Sequence, residues 1–385
     1  MLKGQVSRGT RNSFLRNGLV VFQFTTSIIL IIGTTVIYKQ THFILNKEVG
    51  FDKDQVMLIQ GTNTLGERRK VFKNELLKLS EVKSVSISDY LPVSGTKRDG
   101  NSFVREGKSK EDISVGSQKW RVDYDYVKTM GMRIAAGRNF SKDMSSDTSA
   151  IILNKAMVAK MGFTQPLGQL ITNGWEHFHV IGVIDDFNYE TMRQDVNPLS
   201  LVLRDDNSTI IAVKMNGNDA KSTVAAIASA WKSMSPSQPF RYTFLDENFA
   251  NMYADVQRMG SIFTSFAVLA IIIACLGLFA LSAFMAEQRN KEIGIRKVLG
   301  ASVGGITTML SKDFVKLVLI SIVIASPIAW WAMSKWLQDF AYRISIEWWM
   351  IALAGLMAIL IALTTVSFQS IKAAIANPVH SLRSE

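Results

Sequence analysis

Residues 259–286 read MGSIFTSFAVLAIIIACLGLFALSAFMA, an unbroken run of 28 residues without Asp, Glu, Lys, Arg or His. A helix needs about 20 apolar residues to cross the hydrocarbon core of a bilayer, which is roughly 30 Å thick. This run is therefore long enough to form a membrane-spanning helix, and the remainder of the chain has to be interpreted around it.

Three further uncharged stretches lie at residues 17–38, 317–334 and 348–371. Together the four stretches predict four transmembrane helices, which excludes a wholly soluble protein. Ion-coupled carriers and channels with charged filters place ionisable groups inside the membrane. Because none of the four stretches contains Asp, Glu, Lys, Arg or His, the sequence argues against both of these classes.

Basic residues flank the apolar stretches unevenly. Residues 1–16 carry four Lys or Arg and no acid, and residues 287–316 carry six against three acids. Cytoplasmic segments next to membrane helices are enriched in Lys and Arg, and a nucleic-acid binder would instead concentrate them on a soluble face. The predicted cytoplasmic segments are residues 1–16, 287–316 and 372–385, and the predicted outer segments are residues 39–258 and 335–347. Residues 17–38 then form an uncleaved signal anchor.

The outer segment, residues 39–258, is long enough for a folded domain and alternates strand and helix patterns. Two β-α-β units bracket a middle region at about residues 88–206, which predicts a ferredoxin-like sandwich with a smaller, strand-rich insertion. The predicted elements are strands at residues 55–60, 82–87, 210–215 and 240–244 and helices at residues 67–79 and 219–234. The fold class is therefore an α+β membrane protein. A helical pattern without Pro or Gly runs from Asp246 to Met259 and predicts one continuous helix into the second span.

Gly61–Gly66 has the glycine spacing of a phosphate-binding loop. Glu67 and Arg68 stand where such a loop needs Lys and then Ser or Thr, so the phosphate-binding cation and the magnesium-binding hydroxyl are both missing. We interpret this segment as a plain connection between a strand and a helix. The chain itself is therefore not expected to hydrolyse ATP.

His177 and His179 lie near Asp185 and Asp186, a combination that could suggest a metal. The two histidines would share one face of a strand, but exposed histidines alternating on a strand are far commoner than metal ligands of this kind. We predict no metal site, no cofactor and no catalytic residue. Cys275 is the single cysteine, which excludes a disulfide within the chain.

The most distinctive local pattern is EQRNKEIGIRKVLGA at residues 287–301, directly after the second apolar stretch. Charged residues alternate there with apolar ones. Gly300 predicts the end of a helix and Ser302 the start of the next. By itself the pattern also fits an amphipathic helix that lies on anionic lipid.

The fourth apolar stretch carries Ala354, Ala358 and Ala362 at four-residue spacing. A row of small side chains on one helix face is suited to close helix packing in a membrane. Alanine is also simply common in membrane spans, so both interpretations stay open. The prediction is that these three residues form a helix-packing face.

Residues 287–301 resemble the cytoplasmic signature of MacB/FtsX-type ABC transporter permeases, which has a charged run, then Glu-Ile-Gly, then a Leu-Gly-Ala turn. Further motifs similar to this family are spread over nearly the whole chain: YVKTMGM at 126–132, GRNF at 137–140, ILN at 152–154, MGF at 161–163, VIGVIDDF at 180–187 and FLDENF at 244–249. LRNGLVVFQF at 15–24 resembles the start of the second half of double-length permeases. The chain is accordingly expected to be a stand-alone half or part of such a permease.

The resemblance implies a permease subunit of the mechanotransmission type in the bacterial inner membrane, with both termini cytoplasmic. Its periplasmic core domain would combine a ferredoxin-like porter part with an inserted sabre part. ATP hydrolysis would take place in a separate cytoplasmic ATPase subunit, and the work would drive export or extraction of a peptide, lipid, lipoprotein or drug. The resemblance further implies a dimer of permease units and a periplasmic or outer-membrane partner.

Residues 287–316 form the largest predicted cytoplasmic segment, so we assign contact with the ATPase to them. The predicted ATPase-coupling residues are Glu292, Ile293, Gly294, Arg296, Lys297, Val298 and Leu299, with the apolar ones filling a groove on the partner. The alternative function is a membrane-anchored sensor or scaffold whose outer domain binds a ligand or partner, including regulation of cell-wall hydrolases. An associated ATPase would distinguish the two.

Overall fold

The computed structural model describes residues 8–107, 114–204, 208–217 and 219–375. The chain divides into two compact units. The membrane unit comprises Met1–Phe43, Asp255–Asp339 and Arg343–Glu385. The second unit comprises Ile44–Ala254 together with Phe340–Tyr342 and is called the outer unit after its predicted location. Each unit has its own apolar core, so each is described separately.

The helices are α1 (Arg8–Asn46), α2 (Arg68–Leu76), α3 (Tyr126–Thr129), α4 (Lys155–Met161), α5 (Ala220–Met234), α6 (Leu245–Asn251), α7 (Ala254–Gln288), α8 (Asn290–Val298), α9 (Val303–Leu337) and α10 (Trp348–Ile375). The strands are β1 (Val56–Gln60), β2 (Val82–Ile87), β3 (Gly100–Arg105), β4 (Val115–Val122), β5 (Ile134–Gly137), β6 (Ala150–Asn154), β7 (Leu170–Thr172), β8 (His177–Ile184), β9 (Leu199–Leu203), β10 (Ile210–Met215) and β11 (Tyr242–Phe244).

Four long helices in the described residues, α1, α7, α9 and α10, each contain one of the predicted spans and are long and apolar enough to cross a membrane. The prediction of four membrane helices is confirmed. The helices extend beyond the apolar stretches, most clearly in α9, which begins at Val303 although its uncharged stretch begins at residue 317. Pro327 lies inside α9, a position that neighbouring groups in a helix bundle can accommodate.

The first span is the most enclosed helix of the membrane unit. Of its most apolar window 56% is buried, against 22% to 28% for the other three spans. Large apolar side chains point outward instead on the remaining helices, among them Phe266, Leu276 and Val323. So much contiguous apolar surface is stable only in contact with hydrocarbon, and the chain is therefore a membrane protein.

Four strands of the outer unit form an antiparallel sheet in the order β11-β1-β10-β2. The chain order β1-α2-β2-β10-α5-β11 is the β-α-β-β-α-β pattern of a ferredoxin-like fold. Both helices contribute to one apolar core, where the rings of Phe72 and Trp231 meet at 5.6 Å. The predicted ferredoxin-like part is thereby confirmed. Asp219 starts α5 by accepting a hydrogen bond from the Ser222 N–H group at 3.1 Å.

The insertion between β2 and β10 forms a second sheet in the order β5-β8-β6-β9-β4-β3-β7, and β7 also pairs with β8. Six of its strands therefore close into a ring, here called the inserted ring, while β5 pairs with the far end of β8. Its core holds Phe103, Val115, Ile151, Leu153, Met157, Met161, Ile171, Phe178, Val180 and Val202. The predicted strand-rich insertion is confirmed, and its strands run from Gly100 to Leu203.

The predicted continuous helix from Asp246 to Met259 is wrong. Helix α6 ends at Asn251 and α7 begins at Ala254, with a turn at Met252 and Tyr253 between them. The reason is a tertiary contact, because Tyr253 is buried and its hydroxyl oxygen accepts a hydrogen bond from the Met192 N–H group at 2.9 Å. The helical pattern of residues 246–259 contains no information about this tertiary contact.

A charged network ties strands of the inserted ring together. Glu176 accepts hydrogen bonds from Lys119 Nζ and Arg204 Nη2, each at 2.7 Å, and a longer one from Asn173. The hydrogen bond from Lys119, helped by those from Arg204 and Asn173 and by the Lys119 charge, outweighs desolvation and lowers the pKa of Glu176 to about 2. The folded protein therefore holds this carboxylate ionised well below the usual pKa of 4.5.

Acid is expected to weaken the outer unit through Glu176. Because folding depresses this pKa, the stabilisation is present above about pH 4.5 and is lost as the pH falls toward 2. The side chain is one third exposed, so after solvent screening we expect a loss of about 1 kcal/mol at pH 3 relative to pH 7. Urea unfolding of residues 44–254 at both pH values measures it. Glu176→Gln should lose less stability between these pH values than the unsubstituted protein, and equal losses would contradict the assignment.

Candidate functional site

The segment between α7 and α9 has the helix-turn-helix form that its sequence predicts. Gly300 has a φ of +88°, the left-handed conformation that ends many helices. The Ala301 N–H group donates back to the Arg296 carbonyl at 2.9 Å, which closes the end of α8. Ser302 then begins α9, its hydroxyl oxygen accepting a hydrogen bond from the Gly305 N–H group at 3.2 Å. Both predicted helix boundaries are confirmed.

The inner face of α8 is apolar and packs against the first turns of α9. Ile293 is only 3% exposed and forms a small buried cluster with Ile306 and Leu310. Gly294, beside it, is also buried. The expectation that Ile293 fills a groove on a partner needs correction, since this side chain is already occupied in holding α8 on α9.

The exposed apolar residues lie on the outer face of α8 and directly after its last residue, Val298. Leu299 is 79% exposed and Ile295 is 53% exposed. Residues four apart lie on the same side of a helix, so these two side chains form one patch, called the α8 patch below. Sequence reasoning assigned Leu299 but omitted Ile295, although the four-residue spacing was a usable signal.

Charged residues lie beside the α8 patch. Arg296 donates to Glu292 at 2.7 Å across one helical turn, and Arg289 donates to Asp313 of α9 at 3.1 Å. The structure thus brings Glu292, Arg296 and Leu299 to the surface of one short helix. Two further predicted coupling residues, Lys297 and Val298, have side chains that lie outside the described part of the chain. An apolar pair bordered by a charged pair is suited to protein docking rather than to chemistry on a small molecule.

Ala354, Ala358 and Ala362 all lie in the buried core of the membrane unit, none of them more than 2% exposed. Beside this row, a Cβ atom built on Gly355 would lie 3.2 Å from Cδ1 of Ile322 on α9. Helices α9 and α10 therefore approach closely at this level. Small side chains permit such an approach in membrane proteins.

The partial phosphate-loop sequence adopts a different structure. Gly61 and Gly66 both have positive φ, at 72° and 52°, and enclose the 3₁₀ helix Thr62–Leu65. The following basic side chain, Arg69, is used internally, since it donates to the carbonyl oxygens of Gly66 and Ser208. The segment connects strand β1 to helix α2 of the ferredoxin-like part.

The histidines on β8 are exposed on one face, as their alternation predicts. His177 Nδ1 lies 3.0 Å from Glu106. Asp185 is paired with Arg133 and Lys155, and the hydrogen bond from Arg133, followed by that from Lys155, lowers the pKa of Asp185. Within the described ranges, no three His, Cys, Asp or Glu side chains lie close enough together to hold a metal ion.

A cavity of about 570 Å³ in the outer unit separates α2 and β2 from the strands of the inserted ring. Lys73 lines it and donates to Asp123 at 2.8 Å and to Asp125 at 2.5 Å. Burial alone would lower the pKa of Lys73, but the charges and hydrogen bonds of Asp123 and Asp125 together raise it. The cation therefore stays charged and links the two halves of the outer unit.

Two families of known sequences match this architecture. The FtsX-like permease C-terminal family matches residues 264–378, and the MacB-like periplasmic core domain family matches residues 24–230. The second match covers more than half of the 385 residues. Four apolar helices and a large domain between the first two define a multi-pass membrane protein, and the match to an FtsX-like permease family makes it one of the permease class. The chain belongs to the MacB/FtsX-type family of ABC transporter permeases.

Individual relatives are distant in sequence. The macrolide export ATP-binding/permease protein MacB of Psychrobacter arcticus is 22% identical over 267 residues, which are 63% of this chain and 39% of that protein. The uncharacterized ABC transporter permease YknZ of Bacillus subtilis is 22% identical over 270 residues, 68% of each chain. The chain thus spans about two fifths of the length of the MacB relative.

Two solved structures align with about half of the chain. The periplasmic region of MacB from Actinobacillus actinomycetemcomitans covers 53% of this chain and 94% of its own, with 20% identity and a TM-score of 0.37. The extracellular domain of YknZ from Gram-positive bacteria covers 46% of this chain and 87% of its own, with 20% identity and a TM-score of 0.33.

Proposed function

We propose that the chain is the permease subunit of an ABC transporter of the mechanotransmission type. ATP hydrolysis in a separate cytoplasmic subunit would drive motion of the outer unit, and this motion would export or extract a peptide, lipid, lipoprotein or drug. The observation that carries the proposal is the α8 patch, an exposed apolar pair on a short helix between two membrane helices. Through it, a partner could exert force on α7 and α9 together.

The composition of the spans supports transmission of work rather than passage of a polar substrate between them. Their uncharged stretches contain no Asp, Glu, Lys, Arg or His, and polar pathways through membranes are marked by such groups. The name of the MacB relatives combines ATP binding with a permease, which supports an ATPase partner for this chain as well. We further propose a dimer of permease units and a periplasmic or outer-membrane partner.

Isolation of the affinity-tagged chain from its native membrane in mild detergent tests this function. An ABC ATPase should co-purify, be identifiable by mass spectrometry, and hydrolyse ATP in the preparation. The mass of the complex gives the number of permease copies. A preparation that reproducibly lacks any ATPase would contradict the proposal. It would favour the alternative function, a membrane-anchored sensor or scaffold whose outer domain binds a ligand or partner.

The proposed orientation places the α8 patch in the cytoplasm and the outer unit outside, in the bacterial inner membrane. In a Cys275→Ala background, Ser237→Cys in the outer unit should react with a membrane-impermeant maleimide on intact spheroplasts. Ala301→Cys, in the exposed turn after α8, should react only after permeabilisation. Labelling of Ala301→Cys on intact spheroplasts would overturn the orientation.

A further inference from the structure

A groove of about 470 Å³ lies between α9 and α10. Its lining changes character along its length. Thr307, Thr308, Ser311 and Lys312 of α9 form one end with Ser367 of α10, while Leu319 of α9 and Leu363 of α10 form the other. The groove therefore has a polar end and an apolar end, joined by Val315 and Lys316.

This change coincides with the edge of the apolar sequence. The uncharged stretch of α9 begins at residue 317, directly after Lys316, and that of α10 ends at residue 371. The polar end of the groove therefore lies at the level of the lipid headgroups and the apolar end within the hydrocarbon. Beyond Leu319 the apolar surface of α9 continues with Val323, which is largely exposed.

The polar end holds groups that the protein does not use itself. Lys312 and Lys316 are exposed, lie one helical turn apart, and form no ion pair with any residue that the structure describes. The neighbouring acid, Asp313, is paired with Arg289. Ser311 lines the groove and is only 6% exposed, yet its hydroxyl has no hydrogen-bond partner in the described part of the chain.

We propose that this groove is a binding site for an anionic glycerophospholipid of the adjoining leaflet. The phosphate would lie between Lys312 and Lys316 and accept a hydrogen bond from Ser311. One acyl chain would run along Val315, Leu319 and Leu363. Basic pockets between membrane helices are suited to anionic headgroups, and the uncharged, exposed apolar end requires a ligand with its own hydrocarbon part.

A lipid fits this groove better than a water-soluble partner would. Such a partner could neutralise Lys312 and Lys316 but would have to reach below the membrane surface to cover Leu319. A second copy of the chain would bring its own uncharged span against α9, and this would leave both lysines without counter-charge. An anionic lipid supplies a negative charge to the polar end of the groove and a hydrocarbon chain to the apolar end.

Lipid binding by the purified full chain tests the proposal without any ATPase. Native mass spectrometry after delipidation and titration with phosphatidylglycerol or phosphatidylcholine should show a preference of about tenfold for phosphatidylglycerol, since each of two basic groups favours it. The Lys312→Gln/Lys316→Gln double variant should lose most of that preference. Ser311→Ala should weaken phosphatidylglycerol binding severalfold.

Lys221→Gln/Lys232→Gln, which removes two exposed lysines from α5 of the outer unit, is the matched control and should bind as the unsubstituted chain does. Thermal melting checks that all variants are folded. Inorganic phosphate at millimolar concentration should not displace the lipid, because it lacks the acyl chain. The proposal would be overturned by equal binding of the two lipids or by an unchanged lipid preference in the lysine double variant. It would also be overturned if inorganic phosphate displaced the lipid, or if the lysine substitutions changed only the oligomeric state.

Discussion

Replacing Ile295 and Leu299 together by aspartate is expected to remove the ATPase subunit from the purified permease. Both side chains are exposed on the outer face of α8, so the substitutions leave the inner cluster around Ile293 intact. Burying each apolar side chain against a partner would contribute about 1.5–3 kcal/mol before ordering costs. A carboxylate there would add a desolvation cost. We expect affinity for the ATPase to fall by at least about 100-fold.

The measurement is the ratio of ATPase to permease after affinity purification, together with the ATP hydrolysis rate of the preparation. Glu287→Gln is one control, because Glu287 is exposed in the same predicted cytoplasmic segment but is not a predicted coupling residue, and a single exposed charge contributes at most about 1 kcal/mol. Val71→Asp is another, since it places the same charge at a half-exposed apolar position of the outer unit. Undiminished recovery of the ATPase with the double variant would show that α8 is a helix resting on lipid and not the coupling surface.

Asp123→Ala is expected to destabilise the outer unit by about 2–4 kcal/mol, because buried donors lose their acceptor while Lys73 keeps Asp125 as its partner. Asp123 directly follows β4 and accepts three hydrogen bonds, from Lys73 Nζ, the Ser86 hydroxyl and the Ile87 N–H group, between 2.7 and 2.9 Å. Both Lys73 and Asp123 are largely buried. The substitution therefore leaves a backbone donor and a hydroxyl without their acceptor.

Urea unfolding of residues 44–254, followed by tryptophan fluorescence, measures this loss. Glu75→Gln provides the contrast, because its ion pair with Lys78 is well exposed on both sides and should contribute less than about 0.5 kcal/mol. If Asp123→Ala costs no more than Glu75→Gln, the buried pair does not hold the inserted ring against the ferredoxin-like part.

Much of the fold could be predicted because it follows local periodicity. The four spans could be predicted from the length of the apolar stretches and from the absence of charged residues in them. Strands β2 and β10 have the predicted bounds, Val82–Ile87 and Ile210–Met215. The closed ring could not be predicted in the same way, since β4 pairs in parallel with β9 and joins Gln118 to Leu199. Such pairings depend on tertiary contacts that no short window contains.

The candidate site was predicted in position but only partly in orientation. Ile293 and Ile295 are two residues apart, which separates them by about 200° around a helix, so they cannot share a face. Helical phase alone would have grouped Ile295 with Leu299 and set Ile293 apart. The partner of Ile293 was not predictable locally, because Leu310 belongs to a helix that begins well before its apolar stretch.

The place of the inserted ring in the chain sets an order of folding. Ile87 on β2 pairs with Ile211 on β10, so the ferredoxin-like sheet is incomplete until residues beyond the ring have been synthesised. All six strands of the ring have been synthesised once the chain reaches Leu203. Its first and last strands, β3 and β9, both flank β4, and a folded ring therefore holds the start of β3 and the end of β9 within about 20 Å of each other. Long-range strand pairing is slow because a large loop has to close first. If the ring folds first, it brings the segments that form β2 and β10 close together, and these two strands then have only a short distance to cover before they pair.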